Sequence, residues 1–495
     1  MAFALTPRER RGLWTAIALL VGVRLATLAA YPVMDSTESR YAEIARKMLE
    51  TGDWLMPQFA YGVPFWGKPP LSTWLSAASM AAFGVNEFSA RLPSLLLLLG
   101  SGALVFMLAR RRAGREAALL ASAFFATTVL VFVAAGAVMT DATLLLGTTL
   151  AMVGFWIAVD APSPPRRAAG FAFFVGLAIG LMAKGPVALV LTFLPIGAWT
   201  LWTRSWRSVW TGLPWVVGTA LAAALVVPWY LAAERASPGF LDYFLIGEHW
   251  KRFVEPGWKG DLYGAAHAHP HGTIWLYWIA AALPWSLPAI GWLARAAVFR
   301  REALRTLVSD PWQSYLLLWA IAPMLFFTLS GNILATYVLP GIPAFALLLR
   351  TLWSTPAADT RAVRAPARHG IAAGFILAVV SVGVILALRP RFEAELSHRA
   401  LVRTYEARRA DAGERLIYVA KEPMSADFYS HGKAILVPDT AALLPYLADG
   451  NFDFIVVRAR DLEALPPAAR ARLVPRGSFG EYKLLQEALL QEAPG

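Results

Sequence analysis

The chain of 495 residues contains no cysteine. Disulfides and thiolate metal sites are therefore excluded, and any segment outside a membrane must hold by packing alone. Charge is scarce: 16% of residues are Asp, Glu, Lys or Arg, against roughly 25% in an average soluble domain. There is no internal repeat and no low-complexity tract, which argues against a solenoid. Neither a Rossmann glycine fingerprint nor a complete P-loop is present, so the common cradles for nucleotide phosphates are missing.

What fills the chain instead is apolar sequence. At 57% hydrophobic residues and a mean hydropathy of +0.51, it reads as an α-helical polytopic membrane protein. Windows able to cross about 30 Å of hydrocarbon fall near 12–31, 90–109, 117–138, 142–160, 168–183, 186–203, 212–233, 273–296, 312–330, 333–350 and 370–388, eleven in all. The first is too long for a signal-peptide core and is expected to remain as an uncleaved helix. The formal net charge of +12 would point to nucleic acid in a soluble chain. Here the arginines gather in alternate gaps: Arg8, Arg10 and Arg11; Arg110, Arg111, Arg112 and Arg115; Arg166 and Arg167; Arg204 and Arg207; Arg300, Arg301 and Arg305; Arg361, Arg364 and Arg368. The positive-inside rule makes all of these gaps cytoplasmic, and the 20 tryptophans suit interfacial belts.

The opposite, outer side then receives the long loop 32–89, the turns at Asp141, Lys184 and Ser330 to Asn332, the loop 234–272 and the C-terminal segment. Ionisable groups thus cluster at helix ends on one side. A transporter would place them within the spans, near the midplane. After 388 the composition changes: Arg415–Ala420, Ala434–Val437 and Phe452–Val457 are short β-rich runs, with helical stretches expected at 439–448 and 460–473. A division follows into a transmembrane part, 1–388, and a small C-terminal α/β domain, 389–495, outside the membrane.

Several outer residues are suited to chemistry. Asp35-x-x-Glu38 has the spacing of a capping box. Tyr41, Ile44, Ala45, Met48 and Leu49 make one apolar face, and Gly52 ends it, so an amphipathic helix lying on the membrane is expected. Asp141 opens the fourth window, either as its N-cap or as an acid/base carboxylate. Lys68 lies between Phe65 and Pro70, where prolines stiffen the backbone. Lys184 ends a helix, where a cation complements the dipole. Both are also placed to stabilise a departing phosphate. Arg252, in the run Glu248-His249-Trp250-Lys251-Arg252-Phe253, offers paired N–H donors to phosphate. His249 is a donor or a metal ligand. His267, His269 and His271 alternate but read as a polar loop, and no metal is expected.

Glu38-Ser39-Arg40-Tyr41-Ala42-Glu43-Ile44-Ala45, Gly52-Asp53-Trp54 and Lys68-Pro69-Pro70 with Trp74 together resemble the first outward loop of bacterial integral-membrane glycosyltransferases of the C-type (GT-C) fold. The resemblance is to the group containing the aminoarabinose transferase that modifies lipid A and its protein O-mannosyltransferase relatives. It extends over roughly 12–350, through Lys184-Gly185, the Glu248 to Phe253 element and Thr336-Tyr337-Val338-Leu339-Pro340. It implies transfer of a sugar from a polyprenyl-phosphate (undecaprenyl-phosphate) donor to a lipid A or other envelope glycolipid acceptor. The site would face the periplasm at the bacterial inner membrane. The implied partners are membrane lipids and not nucleic acid, with a monomer acting without cofactor or metal. The implied roles are catalytic for Asp35, Glu38 and Asp141. Lys68, Arg40, Lys184, Arg252 and Tyr337 would bind the donor phosphate, and Tyr41, Glu248 and His249 would position substrate. The chain departs from the pattern at Thr37, where relatives have the motif's first acid, and at Gly67, where some have a metal-binding glutamate. Gly331 and Ile333 stand where lysines are usual. Protein O-mannosyl transfer and flipping of a lipid-linked saccharide are the alternatives.

Overall fold

The computed structural model describes residues 5–160, 167–352, 360–411 and 413–488. The proline-rich run Pro162-Ser163-Pro164-Pro165, which reads in sequence as a turn, Arg166, and the side chains of Arg361 and Arg364 lie outside the described residues. The chain divides into two compact units. One comprises Met1–Thr27, Asp53–Leu75 and Arg91–Val382; the other comprises Leu28–Gly52, Ser76–Ala90 and Gly383–Gly495.

The first unit is helical. Among the described helices, five are long and apolar enough to cross a membrane: Glu87–Ala126, Thr140–Val159, Arg167–Lys184, Trp215–Ala236 and Ala365–Glu395. Thr273–Ala281 and Ser286–Phe299, bent by 114° at their junction, make a sixth if taken together, and Val187–Thr203 and Ala335–Arg350 are shorter apolar helices. Lipid-facing character is plain in Val216 (84% exposed) and Val379 (70% exposed), since water would not tolerate so much apolar surface in a row. The helix Glu87–Ala126 loses helical geometry at Ala113 and Gly114, within the arginine-rich gap expected there. The window 117–138 is not one helix. Thr127 and Thr128 bond back through their hydroxyls to Ala123 O (2.6 Å) and Phe124 O (2.8 Å), and a separate helix runs from Val129 to Ala134.

One packing detail positions the site. Thr140–Val159 and Arg167–Lys184 are antiparallel neighbours in unusually close contact. A Cβ on Gly147 would stand 2.6 Å from Gly180 N, and one on Gly154 would stand 2.7 Å from Ala169 O. Small residues let two backbones approach in this way where apolar solvent provides no drive for association. Asp141 begins the first of these helices and Lys184 ends the second, so the two charges share one end of a tightly fixed pair. A two-stranded ribbon, β1 (Gln58–Ala60) and β2 (Val63–Pro64), precedes the Lys68 segment.

The second unit holds a mixed sheet of β3 (Leu416–Val419), β4 (Ile435–Val437), β5 (Phe454–Arg458), β6 (Leu473–Phe479) and β7 (Tyr482–Glu487), in the order β4-β3-β5-β7-β6. β4, β3 and β5 are parallel, and β7 and β6 are antiparallel to their neighbours. Alternation sends Ile417, Val419, Ile455 and Val457 to one core and Leu416, Tyr418, Phe454 and Val456 to the other, so both faces are covered, as parallel strands require. The hairpin β6–β7 replaces the end of the helix expected at 460–473, which Pro466 and Pro467 reduce to a 3-10 turn and the single turn Pro467–Arg470.

The helix Thr37–Thr51 also belongs to this unit and differs from expectation. It does not rest its apolar face on lipid alone: Ala42, Ile44, Ala45 and Met48 are buried in protein, and so are Glu38, Glu43, Arg46 and Lys47. The charges tolerate burial because they neutralise one another. Arg46 meets Glu43 (2.7 Å) and Glu50 (2.6 Å), and Lys47 meets Glu43 (3.2 Å) and Asp427 (3.3 Å).

Candidate active site

A cleft of about 350 Å³ opens in the first unit. Its polar wall is formed by Lys68, Asp141, Lys184, Glu248, His249, Arg252 and Tyr337, with Ser330 and Asn332 beside them. The rest is apolar, including Val187, Val190, Leu191, Leu245, Phe326 and Phe327.

Lys68 is aimed by its neighbours more than by its prolines. Trp66 N donates to the Tyr263 hydroxyl (2.8 Å), which itself donates to Pro64 O (2.9 Å), and Trp66 Nε1 donates to Ser237 Oγ (2.9 Å). From this clamped segment Lys68 Nζ donates to Gly67 O (2.6 Å) and to Glu248 Oε1. Glu248 also accepts from Arg252 Nη1 at 3.1 and 3.0 Å, and the same nitrogen reaches Asp261 Oδ2 at 2.9 Å. Burial opposes ionisation of Glu248, but the charges of Lys68 and Arg252 outweigh it and hold its carboxyl below the ordinary glutamate range.

Lys184 Nζ donates to Asp141 Oδ1 at 2.6 Å and lies 4.6 Å from the centre of the Tyr337 ring, within cation–π range. Asp141 is not the N-cap of its helix; Met139 holds that position, and the carboxylate goes to Lys184. His249 ties the two charge clusters together. Its Nδ1 faces Phe244 O at 2.7 Å and its Nε2 faces Lys184 O at 3.0 Å. Burial, aided by the Lys68 charge, holds its pKa below the ordinary histidine value; the neutral ring has a single N–H and donates to one carbonyl at a time.

Sequence reasoning missed Asp261, Tyr263 and the part played by Asn332. The Asn332 amide nitrogen donates to Arg252 O (2.6 Å) and Glu255 O (2.7 Å), and its Oδ1 accepts from Gly257 N (2.9 Å). That fixes the turn carrying Arg252. The only sequence signal was the Ser330 to Asn332 turn itself. Gly331 lies so close to the same turn that a Cβ would stand 2.9 Å from Pro256 N; a side chain does not fit there without a backbone shift.

The remaining expected site residues belong to the second unit. Asp35 accepts from Ser39 Oγ (2.6 Å), Ser425 N (3.0 Å) and Ser425 Oγ, and burial raises its pKa despite these bonds. Glu38 is buried and accepts from Met34 N at 3.0 Å, reaching back as in a capping box but one residue beyond it. Arg40 and Tyr41 are half-buried on the same helix. Among the described residues no group of three His, Asp or Glu gathers as a metal site. His269 pairs with the Tyr277 hydroxyl (3.0 Å), and His271 with Thr328 O (3.0 Å).

Residues 13–244 match the family of dolichyl-phosphate-mannose-protein mannosyltransferases. The chain is 33% identical over 341 residues to an undecaprenyl phosphate-alpha-4-amino-4-deoxy-L-arabinose arabinosyl transferase of Edwardsiella ictaluri, covering 68% of this chain and 58% of that one. It is 33% identical over 360 residues to the Erwinia tasmaniensis protein of that name, covering 71% and 61%. The chain thus spans about three fifths of these relatives' length. In fold it is similar to ArnT from Cupriavidus metallidurans, crystallised bound to undecaprenyl phosphate: the TM-score is 0.79 at 19% identity, over 97% of this chain and 99% of that one. The chain is thus similar in sequence to aminoarabinose transferases over two thirds of its own length, and in fold to ArnT over nearly all of it.

Proposed function

We propose that this protein transfers a sugar from a polyprenyl-phosphate donor, of the undecaprenyl class, to an envelope glycolipid such as lipid A. The observation that carries the reading is the convergence of Lys68, Lys184 and Arg252, with Tyr337, on a cleft whose other walls are apolar. Cations and an apolar surface side by side suit a phosphate attached to a hydrocarbon chain. In the reaction an acceptor oxygen bonds to the anomeric carbon, and the bond from that carbon to the phosphate oxygen breaks. The electron pair leaves with the polyprenyl phosphate. Lys68 and Arg252, assisted by Lys184, stabilise that developing charge. A hydroxyl acceptor requires a base for its proton, whereas an ionised lipid phosphate requires none.

Asp141 is in the cleft and sets Lys184. Asp35 and Glu38 carry the acid role that the family motif gives them, with Arg40 and Tyr41 next to them as contacts to substrate. Eleven spans, a cleft facing the periplasm at the inner membrane, a monomeric state and action without metal or cofactor complete the reading. The match to protein mannosyltransferases over residues 13–244 supports a second reading, with a peptide hydroxyl as acceptor.

The test uses purified protein in detergent with radiolabelled polyprenyl-phosphate sugar, offered lipid A or a Ser/Thr-containing peptide. Label on lipid A is expected. Label on the peptide alone moves the function to protein modification, and no transfer to either overturns the enzyme reading, since detergent leaves nothing for a flippase to do.

A further inference from the structure

We propose that Glu248 is a built-in competitor for the donor phosphate: its carboxylate and the phosphate of a polyprenyl-phosphate ligand take turns on the same N–H groups of Lys68 and Arg252. The inference deepens the phosphate-binding reading and rests on it.

The geometry is specific. The Glu248 side chain is 5% exposed, and its two oxygens bridge the cations. Arg252 Nη1 has two hydrogens, and Glu248 together with Asp261 engages both. A phosphate oxygen that takes this nitrogen must therefore displace a carboxylate. The cations do not depend on Glu248 for their direction. Arg252 keeps Asp261, and its backbone is held by Asn332. Lys68 keeps Gly67 O and the Tyr263 clamp behind Trp66. Glu248 can withdraw without letting either one go.

Two further observations fit a movable carboxylate. Glu248 is ionised more readily than an ordinary glutamate, so it competes as an anion. It also sits in Tyr243–Lys251, a nine-residue stretch wound as a π-helix, a rare geometry that concentrates at functional sites. A change of winding there turns the side chain relative to Lys68. The exchange is nearly charge for charge when a phosphodiester donor enters. The leaving polyprenyl phosphate carries up to two charges and would be held tightly between two cations in an apolar-walled cleft. A carboxylate returning to the same N–H groups speeds its release, and product release limits many enzymes.

The experiment titrates farnesyl phosphate into the full-length protein in nanodiscs of zwitterionic lipid, following binding by calorimetry. Glu248→Gln keeps the shape and removes the competing charge. It is expected to bind farnesyl phosphate about tenfold more tightly than wild type, with KM and kcat for sugar transfer both reduced. Glu248→Asp, whose shorter side chain reaches the cations less well, is expected between the two and decides the matter if the glutamine variant does not fold. Equal or weaker binding by the variants, with the wild type binding normally, overturns the competitor role and leaves Glu248 as a residue that holds Lys68 and Arg252 in place. Failure of every form to bind overturns the phosphate reading itself, and the proposal with it.

Discussion

Among the ion clusters that the described residues bury, one in each unit is built from the same kinds of residue. In the first unit Lys68 meets Glu248, and Arg252 meets Glu248 and Asp261 at about 3 Å, beside the pair Asp141–Lys184. In the second, Glu43, Arg46, Glu50, Lys47 and Asp427 join in a similar chain, with Glu422 next to Asp427. The first lines a cleft with apolar walls. The second is packed between the helices Thr37–Thr51 and Met424–Ser430. Buried charge alone therefore does not mark a site. The first cluster is distinguished by ligand-sized space on one side of its cations, whereas the second spends its charges on joining two helices. Its motif residues, Glu43 within the family pattern among them, would mislead any reading that equated motif with chemistry.

Substitutions can break this contrast. Lys68→Ala should lower sugar transfer on the order of a hundredfold or more, by analogy with removing one donor to a developing charge, with the protein still folded. Near-normal turnover would reduce Lys68 to a lipid-headgroup contact. Lys47→Ala should do the reverse. It leaves Glu43 and Asp427 buried with one cation fewer, at a cost of about 3–5 kcal/mol in stability, while transfer per folded molecule stays near wild type; denaturant unfolding and a rate normalised to folded protein separate the two. Asp35→Asn tests the boundary between the clusters' behaviours. The amide oxygen can still accept from Ser39 and Ser425, so stability should change by no more than about 1 kcal/mol, while transfer falls at least tenfold. Should Asp35→Asn react at the wild-type rate while Glu38→Gln is inactive, the acid role belongs to Glu38.

The last prediction concerns pH. Burial, reinforced by the neighbouring Asp427 charge, pushes the Glu422 carboxyl from 4.5 up to about 9. A group whose pKa is higher in the folded state binds its proton more tightly there, so its stabilising contribution is full below the unfolded value and declines as pH rises. The melting temperature should fall between about pH 5 and 9 in wild type and fall less in Glu422→Gln. An equal slope in both would assign the dependence to another group.

The sequence made some of this legible for identifiable reasons. Apolar length located the helix pair Thr140–Val159 and Arg167–Lys184, because hydrocarbon thickness is a local requirement. Lys68, Lys184, Arg252 and Glu248 stand out locally too, each next to a glycine, a proline or a charged neighbour, and Tyr337 lies three residues before Pro340. Asp261, Tyr263 and Asn332 do not. Their roles arise from loop closures, such as Asn332 on Arg252 and Tyr263 on Trp66, which no local period announces. The hairpin β6–β7 was hidden by Pro475 and Gly477, which read as breakers but sit at a register shift on an edge strand. The burial of Thr37–Thr51 was hidden because its partner Asp427 is 380 positions away.

Gly331 has a consequence of a historical kind. The family pattern that the sequence resembles has lysine near this position, yet here Pro256 N occupies the space that any side chain at 331 needs. A single substitution to lysine would collide before it could contribute a charge. Such a substitution requires the Pro256 turn to move first, and that turn is bound through Asn332 to the backbone of Arg252. The order of substitutions is thus constrained: a side chain at 331 has to wait until the Pro256 turn has moved.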